Sequence, residues 1–181
     1  MTRVVFDLGT NIDREASLAG ALEKLSEHFT LLRASSVYCS APVGMANQPD
    51  YLNISLEVET DKGIEEIRAI ARGVEDAMGR NRNVPKFGPR IIDIDILLHG
   101  DTIDAEANVP HAQTENQMFV VLPLAELYPD GKHPVTGTAW ADLRRTLLAG
   151  RSPKDAGIHL HGPLDSLPLG PKARQGLLQK S

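Results

Sequence analysis

The hydrophobic positions of this chain change their period several times, and each change marks a new element. Val4, Val5 and Phe6 form a short apolar strand over residues 4–7 that runs into the turn Gly9-Thr10-Asn11. Leu18, Leu22 and Leu25 then recur at helical spacing, which predicts a helix over residues 15–28. Residues 29–38 are rich in strand formers. Residues 51–60 alternate strictly, with Leu52, Ile54, Leu56 and Val58 on one face and Tyr51, Asn53, Ser55 and Glu57 on the other. An irregular loop over residues 40–49 joins these two strands. Ile67, Ile70, Ala71, Val74 and Met78 return to helical spacing and predict a second helix over residues 64–78, which Gly79 is placed to end.

An arginine-rich loop leads from that helix into a last strand built around Ile92, Ile94 and Ile96. The order β-α-β-β-α-β is that of a split βαβ unit, so the fold class expected is α+β: a ferredoxin-like core with an antiparallel sheet and helices packed on one face. Pro123 at a helix start, with Leu124 and Leu127 in step, adds a short helix. Past Leu148 the pattern dissolves into Gly and Pro. Residues 1–148 are therefore expected to form one domain, and residues 149–181 an irregular tail, extended or wrapped on the surface, with at most a short helix near residues 174–178.

The last strand carries the chemistry. In Gly88-Pro89-Arg90-Ile91-Ile92-Asp93-Ile94-Asp95-Ile96 the two acids point one way and the isoleucines the other. Their Cα atoms lie about 6.6 Å apart at the usual strand rise. Like charges on one sheet face repel unless a cation sits between them. A pair of Mg²⁺ ions about 3.5–4 Å apart is the kind of centre such carboxylates hold. Arg80, Arg82 and Arg90 lie in the same segment and are suited to phosphate.

Composition narrows the ligand. A chain of 181 residues with 41% hydrophobic and 24% charged residues is of globular type and long enough for a substantial core. A net charge of −5 and an isoelectric point near 5.7 argue against nucleic acid or an anionic membrane as partner, and leave a small molecule. Cys39 is the only cysteine, so no intrachain disulfide forms, and a single thiol, read as buried or idle, fits a reducing cytoplasm. The N-terminus lacks the apolar region of a signal peptide and no stretch is long enough to span a membrane. A cytoplasmic monomer is the default expectation. His159-Leu160-His161 places two imidazoles on one side of an extended segment, but no third metal ligand accompanies them.

Several stretches together resemble the 6-hydroxymethyl-7,8-dihydropterin pyrophosphokinases of folate biosynthesis, over residues 4–129. They are Gly9-Thr10-Asn11, Ser35-Ser36-Val37-Tyr38, Gln48-Pro49-Asp50-Tyr51-Leu52-Asn53, the segment from Glu75 to Arg82, and Phe87-Gly88-Pro89-Arg90 with Asp93 and Asp95. Val109-Pro110-His111 and Phe119 with Pro123-Leu124 continue the likeness. The resemblance implies transfer of diphosphate from ATP to the hydroxymethyl group of the dihydropterin, with AMP released and two Mg²⁺ ions on Asp93 and Asp95. It implies that Arg80 and Arg90 serve catalysis, and that Tyr51, Phe119 and Asn53 bind the pterin together with the loop around Ala41, Pro42 and Val43. ATP would be bound by Glu75, Arg82, Phe87, Arg90, Ile96 and His111, and residues 80–88 would form a mobile lid.

This chain departs from the family pattern at Gln117, where a basic residue is usual, at Phe87, where Trp is frequent, and at Arg72, where a neutral polar residue is common. Two rival readings follow from these changes. One is a divergent relative that binds pterin or nucleotide with little turnover; the other is a Mg²⁺-dependent transferase acting on a different pterin.

Overall fold

The computed structural model describes residues 1–44, 47–81, 83 and 88–178. Its elements run β1 (Thr2–Thr10), α1 (Arg14–Leu25), β2 (Thr30–Ala34), β3 (Val37–Ser40), β4 (Tyr51–Thr60), α2 (Ile64–Ala77), β5 (Asp93–His99), α3 (Met118–Leu127), α4 (Trp140–Leu148), β6 (Ile158–Gly162) and α5 (Pro171–Leu178). The sheet order is β5-β1-β4-β3-β6, with β2 also on β4, and every pairing is antiparallel. The α+β class and the antiparallel sheet predicted from the periodicity are present.

The strand expected over residues 29–38 is two strands that share one edge of β4. They part at Ser35, whose hydroxyl accepts from the Ser55 amide at 3.0 Å while its own amide donates to the Ser55 carbonyl. A side-chain oxygen thus takes a place in the ladder that a carbonyl would fill, and the chain kinks there.

Val4, Phe6 and Leu8 of β1, the even-numbered apolar residues of β4, and Ile92, Ile94 and Ile96 pack under α1 and α2 against Leu18, Leu22, Leu25, Ile67 and Val74. The opposite face is covered as well, which corrects the expectation of helices on one face only. Val5 and Leu97 meet Val120, Leu124 and Trp140 of α3 and α4. A bulge makes this possible: the β1–β5 register passes from Val5 opposite Leu98 to Phe6 opposite Ile96, so Leu97 is the extra residue and shares a cluster with Val5. For the same reason the polar face of β4 is not solvated, since Asn53, Ser55 and Glu57 are all buried.

Residues 149–178 do more than wrap the surface. β6 pairs with β3, placing Leu160 opposite Tyr38 and His159 opposite Cys39. At α5, Glu23 of α1 accepts from the amides of Lys172 and Ala173 at 3.2 and 2.9 Å, which satisfies two free donors of the helix start. The turn residues read as a boundary signal are therefore bends between packed elements. Cys39 is buried, as expected.

Candidate active site

Three carboxyls occupy one sheet face at adjacent strand positions. In register, Asp93 lies opposite Gly9 and Asp95 opposite Asp7; on the other side of β1, Gly9 faces Asn53 and Asp7 faces Ser55. α3 and α4 cover this face at Val5 and Leu97 and leave the next positions beneath open space.

The charges are arranged around Asp93. Its Oδ1 accepts from Arg80 Nη1 at 2.6 Å, and its Oδ2 accepts from Arg90. Arg80 also donates to Glu75, a buried carboxylate near the end of α2 whose Oε1 takes the Ile94 amide at 2.9 Å. Glu75 thereby fixes both the guanidinium and the β5 backbone. Burial, then the neighbouring charge of Asp93, raises the Asp95 carboxyl to about 6, against the pull of Arg80 and Arg90. Burial pushes Asp7 well above the carboxylate range, with Asp95 and Asp93 adding to it.

Two cavities meet at Asp93, Asp95 and His111. One, of about 340 Å³, is lined by Arg68, Arg72, Arg80, Glu75 and Ile96 among others and is rich in cations. The other, of about 440 Å³, is lined by Tyr51, Phe119, Asn53, Ala41, Val43 and Arg90, with Asp7 and Gly9 among its further residues. Asn53 is held by a bond from Nδ2 to Ser40 Oγ at 2.8 Å. A Cβ on Gly9 would lie 3.2 Å from Asn53 Oδ1, so the absent side chain keeps the space beside the amide. Tyr51 donates to the Gly88 carbonyl at 3.1 Å. Burial lowers the His111 imidazole against the charge of Asp93, and its Nδ1 accepts the Gln113 amide at 3.3 Å.

The sequence-predicted residues are thus largely brought together: Asp93, Asp95, Arg80, Arg90, Tyr51, Asn53, Phe119, Ala41, Val43, Glu75, Ile96 and His111 all line one cavity or both. Pro42 lines neither. Arg82 and Phe87 lie outside the described residues, as does most of the expected lid over residues 80–88. Gln117 lines the aromatic cavity, not the arginine-rich one. No group of three or more acidic, His or Cys side chains placed to hold a metal ion occurs among the described residues, His159 and His161 included.

Two site residues escaped the sequence reading. Asp7 sits in Val4-Val5-Phe6-Asp7-Leu8, where an acid in an apolar strand was the available signal. Asn11, read as a turn residue, is a 3% exposed fastener: its Oδ1 accepts the Arg90 amide at 2.8 Å, and its Nδ2 donates to Gln48 Oε1 and the Pro49 carbonyl at 3.0 and 3.1 Å. It joins the end of β1 to both loops that frame the aromatic cavity.

An antiparallel α+β domain in which a cation-rich and an aromatic cavity converge on paired carboxylates defines a small-molecule phosphotransfer class. The chain belongs to the 7,8-dihydro-6-hydroxymethylpterin-pyrophosphokinase family, whose model matches residues 5–129. It is 38% identical over 138 residues to the 2-amino-4-hydroxy-6-hydroxymethyldihydropteridine pyrophosphokinase of Aquifex aeolicus, covering 75% of this chain and 86% of that one. The Bacillus subtilis enzyme of the same name is 38% identical over 125 residues, covering 66% and 74%. Among solved structures, a Plasmodium falciparum HPPK-DHPS triple mutant with pteroate shares the fold with a TM-score of 0.68 at 15% identity, covering 88% of this chain and 46% of that one. No helix among the described residues is long and apolar enough to cross a membrane.

Proposed function

We propose that the chain performs the reaction of its family, with the pterin in the aromatic cavity and the ATP triphosphate in the arginine-lined one. Diphosphate passes from ATP to 6-hydroxymethyl-7,8-dihydropterin: the hydroxymethyl oxygen bonds to the β-phosphorus, the bond from that phosphorus to the α,β-bridging oxygen breaks, AMP leaves, and the hydroxyl proton goes to solvent. The observation that carries this assignment is the convergence of two chemically different cavities on Asp93 and Asp95. Transfer of this kind depends on in-line placement and neutralised charge more than on a covalent group.

The chain's own residues supply the placement. Tyr51 and Phe119 present flat faces for a planar ring, and Asn53, held by Ser40, supplies an amide oxygen. Arg80 and Arg90 both donate to Asp93. Phosphate oxygens offer each guanidinium a bidentate match, with more charge than the single contact each makes to Asp93. Glu75 keeps Arg80 at the junction. Arg68 and Arg72 line the phosphate side, so a cation is available there although Gln117 is neutral and faces the other cavity. This favours a turning-over enzyme above a binding relative.

Two carboxylates, one of them raised to about 6 by burial and then by the charge of its neighbour, fit a hard divalent cation that would relieve their repulsion. Asp93 and Asp95 would hold Mg²⁺. When bound, it would neutralise triphosphate charge and lower the pKa of the attacking hydroxyl.

The test separates the cavities. With Mg²⁺ and a non-hydrolysable ATP analogue, Tyr51→Ala should weaken pterin binding about tenfold or more and leave nucleotide binding within twofold. Arg80→Ala should do the reverse. Equal losses for both ligands in both variants would contradict the assignment.

A further inference from the structure

The face of β1 that carries Val5, Asp7 and Gly9 is roofed by α3 and α4 at Val5 alone. One alternation further along, Asp7 lies under the aromatic cavity and is 6% exposed. Its Oδ1 is buried and has no hydrogen-bond partner among the described residues. The neighbouring strands do not relieve it. On β5 the residue opposite is Asp95, another acid. On β4 it is Ser55, whose own hydroxyl is buried and equally unpartnered.

Buried polar atoms are nearly always bonded, and an acceptor left without a donor lowers stability. Such an atom at the wall of a cavity is satisfied when a ligand brings the donor. The surroundings favour this reading: Gly9, next on the same face, has no side chain to block the approach, and Asn53 spends its Nδ2 on Ser40, which leaves its amide oxygen as a second acceptor near Gly9.

We propose that Asp7 is a substrate-contacting residue that sets specificity: its carboxyl forms the floor of the aromatic cavity and accepts a hydrogen bond from a ring N–H of the pterin. The inference rests on the placement of the pterin in that cavity. A carboxyl there favours heterocycles that present an N–H at the floor, because a ligand donor satisfies the oxygen that the protein leaves unpartnered.

The test titrates 6-hydroxymethyl-7,8-dihydropterin, with Mg²⁺ and a non-hydrolysable ATP analogue present, into Asp7→Ala, Asp7→Ser, Asp7→Asn and Tyr51→Ala. Loss of one buried hydrogen bond to a carboxyl corresponds to about a ten- to hundredfold weaker pterin affinity. Asp7→Ala and Asp7→Ser should both show it, and either suffices if the other does not fold. Asp7→Asn keeps an acceptor at the same reach and should bind within about threefold of the parent. Nucleotide affinity should stay within twofold throughout, and the melting temperature of Asp7→Ala without ligand should equal or exceed that of the parent, since an unsatisfied group has been removed. Pterin affinity unchanged in Asp7→Ala or Asp7→Ser while Tyr51→Ala is weakened would overturn the role of Asp7 and leave the cavity assignment standing. No loss in any variant, Tyr51→Ala included, would overturn the cavity assignment itself.

Discussion

Replacing Asp95 by Asn removes one ionisable proton from a crowded sheet face while keeping the shape of the side chain. In the folded chain, burial and the Asp93 charge raise this carboxyl from 3.8 to about 6. The native state therefore holds the proton to a higher pH than the unfolded chain does. The resulting penalty is absent below about pH 4, grows as the pH rises through the folded pKa, and is complete above it. A difference of this size corresponds to about 3 kcal/mol. Without Mg²⁺, Asp95→Asn should accordingly be more stable than the parent at about pH 7.5, by up to about 3 kcal/mol, and the advantage should shrink to about 1 kcal/mol near pH 4.5. Urea denaturation in chelator at the two pH values measures both. With Mg²⁺ and both substrates, AMP formation should fall by about a hundredfold or more, because a donor for the cation has gone. The reasoning fails if the variant is no more stable at pH 7.5, if its pH dependence matches the parent's, or if turnover is near normal.

Truncation after Leu148 should destabilise the chain by several kcal/mol, since it removes the buried Ile158, Leu167, Leu169 and Ala173 and strips β3 of its partner β6; a melting temperature unchanged within experimental error would contradict the packing. His133 is buried, its Nδ1 accepts the amides of Val135 and Thr136, each at 3.3 Å, and its Nε2 lies 3.0 Å from Thr114 Oγ1. Burial lowers this imidazole despite Glu115, so its contribution is present above about pH 6.5 and is lost as the pH falls through the folded pKa. Between about pH 7.5 and 5, His133→Asn should lose less stability than the parent in urea titrations; parallel losses would refute the assignment.

What the sequence made legible follows from period and spacing. The alternation in β4 and the Ile92, Ile94, Ile96 row specified which face meets α1 and α2, because a strand that slips by one residue would expose the whole set. Asp93 and Asp95, with Arg80 and Arg90, were legible because they are neighbours in the chain. Asp7, by contrast, becomes part of the same site through the β1–β5 register, a non-local pairing to which no local pattern points. Asn11 joins loops that are 37 and 79 residues away along the chain. The packing of β6 and α5 is not legible in the sequence because Gly and Pro report turns, whereas β6 is held by pairing with β3 and α5 by Glu23 of α1.

The most direct measurement mixes the purified chain with ATP, Mg²⁺ and 6-hydroxymethyl-7,8-dihydropterin and follows the nucleotide products. The account predicts AMP and the pterin diphosphate in equal amounts, and none when Mg²⁺ or the pterin is withheld. Formation of ADP, or of no product while both ligands bind, would contradict it.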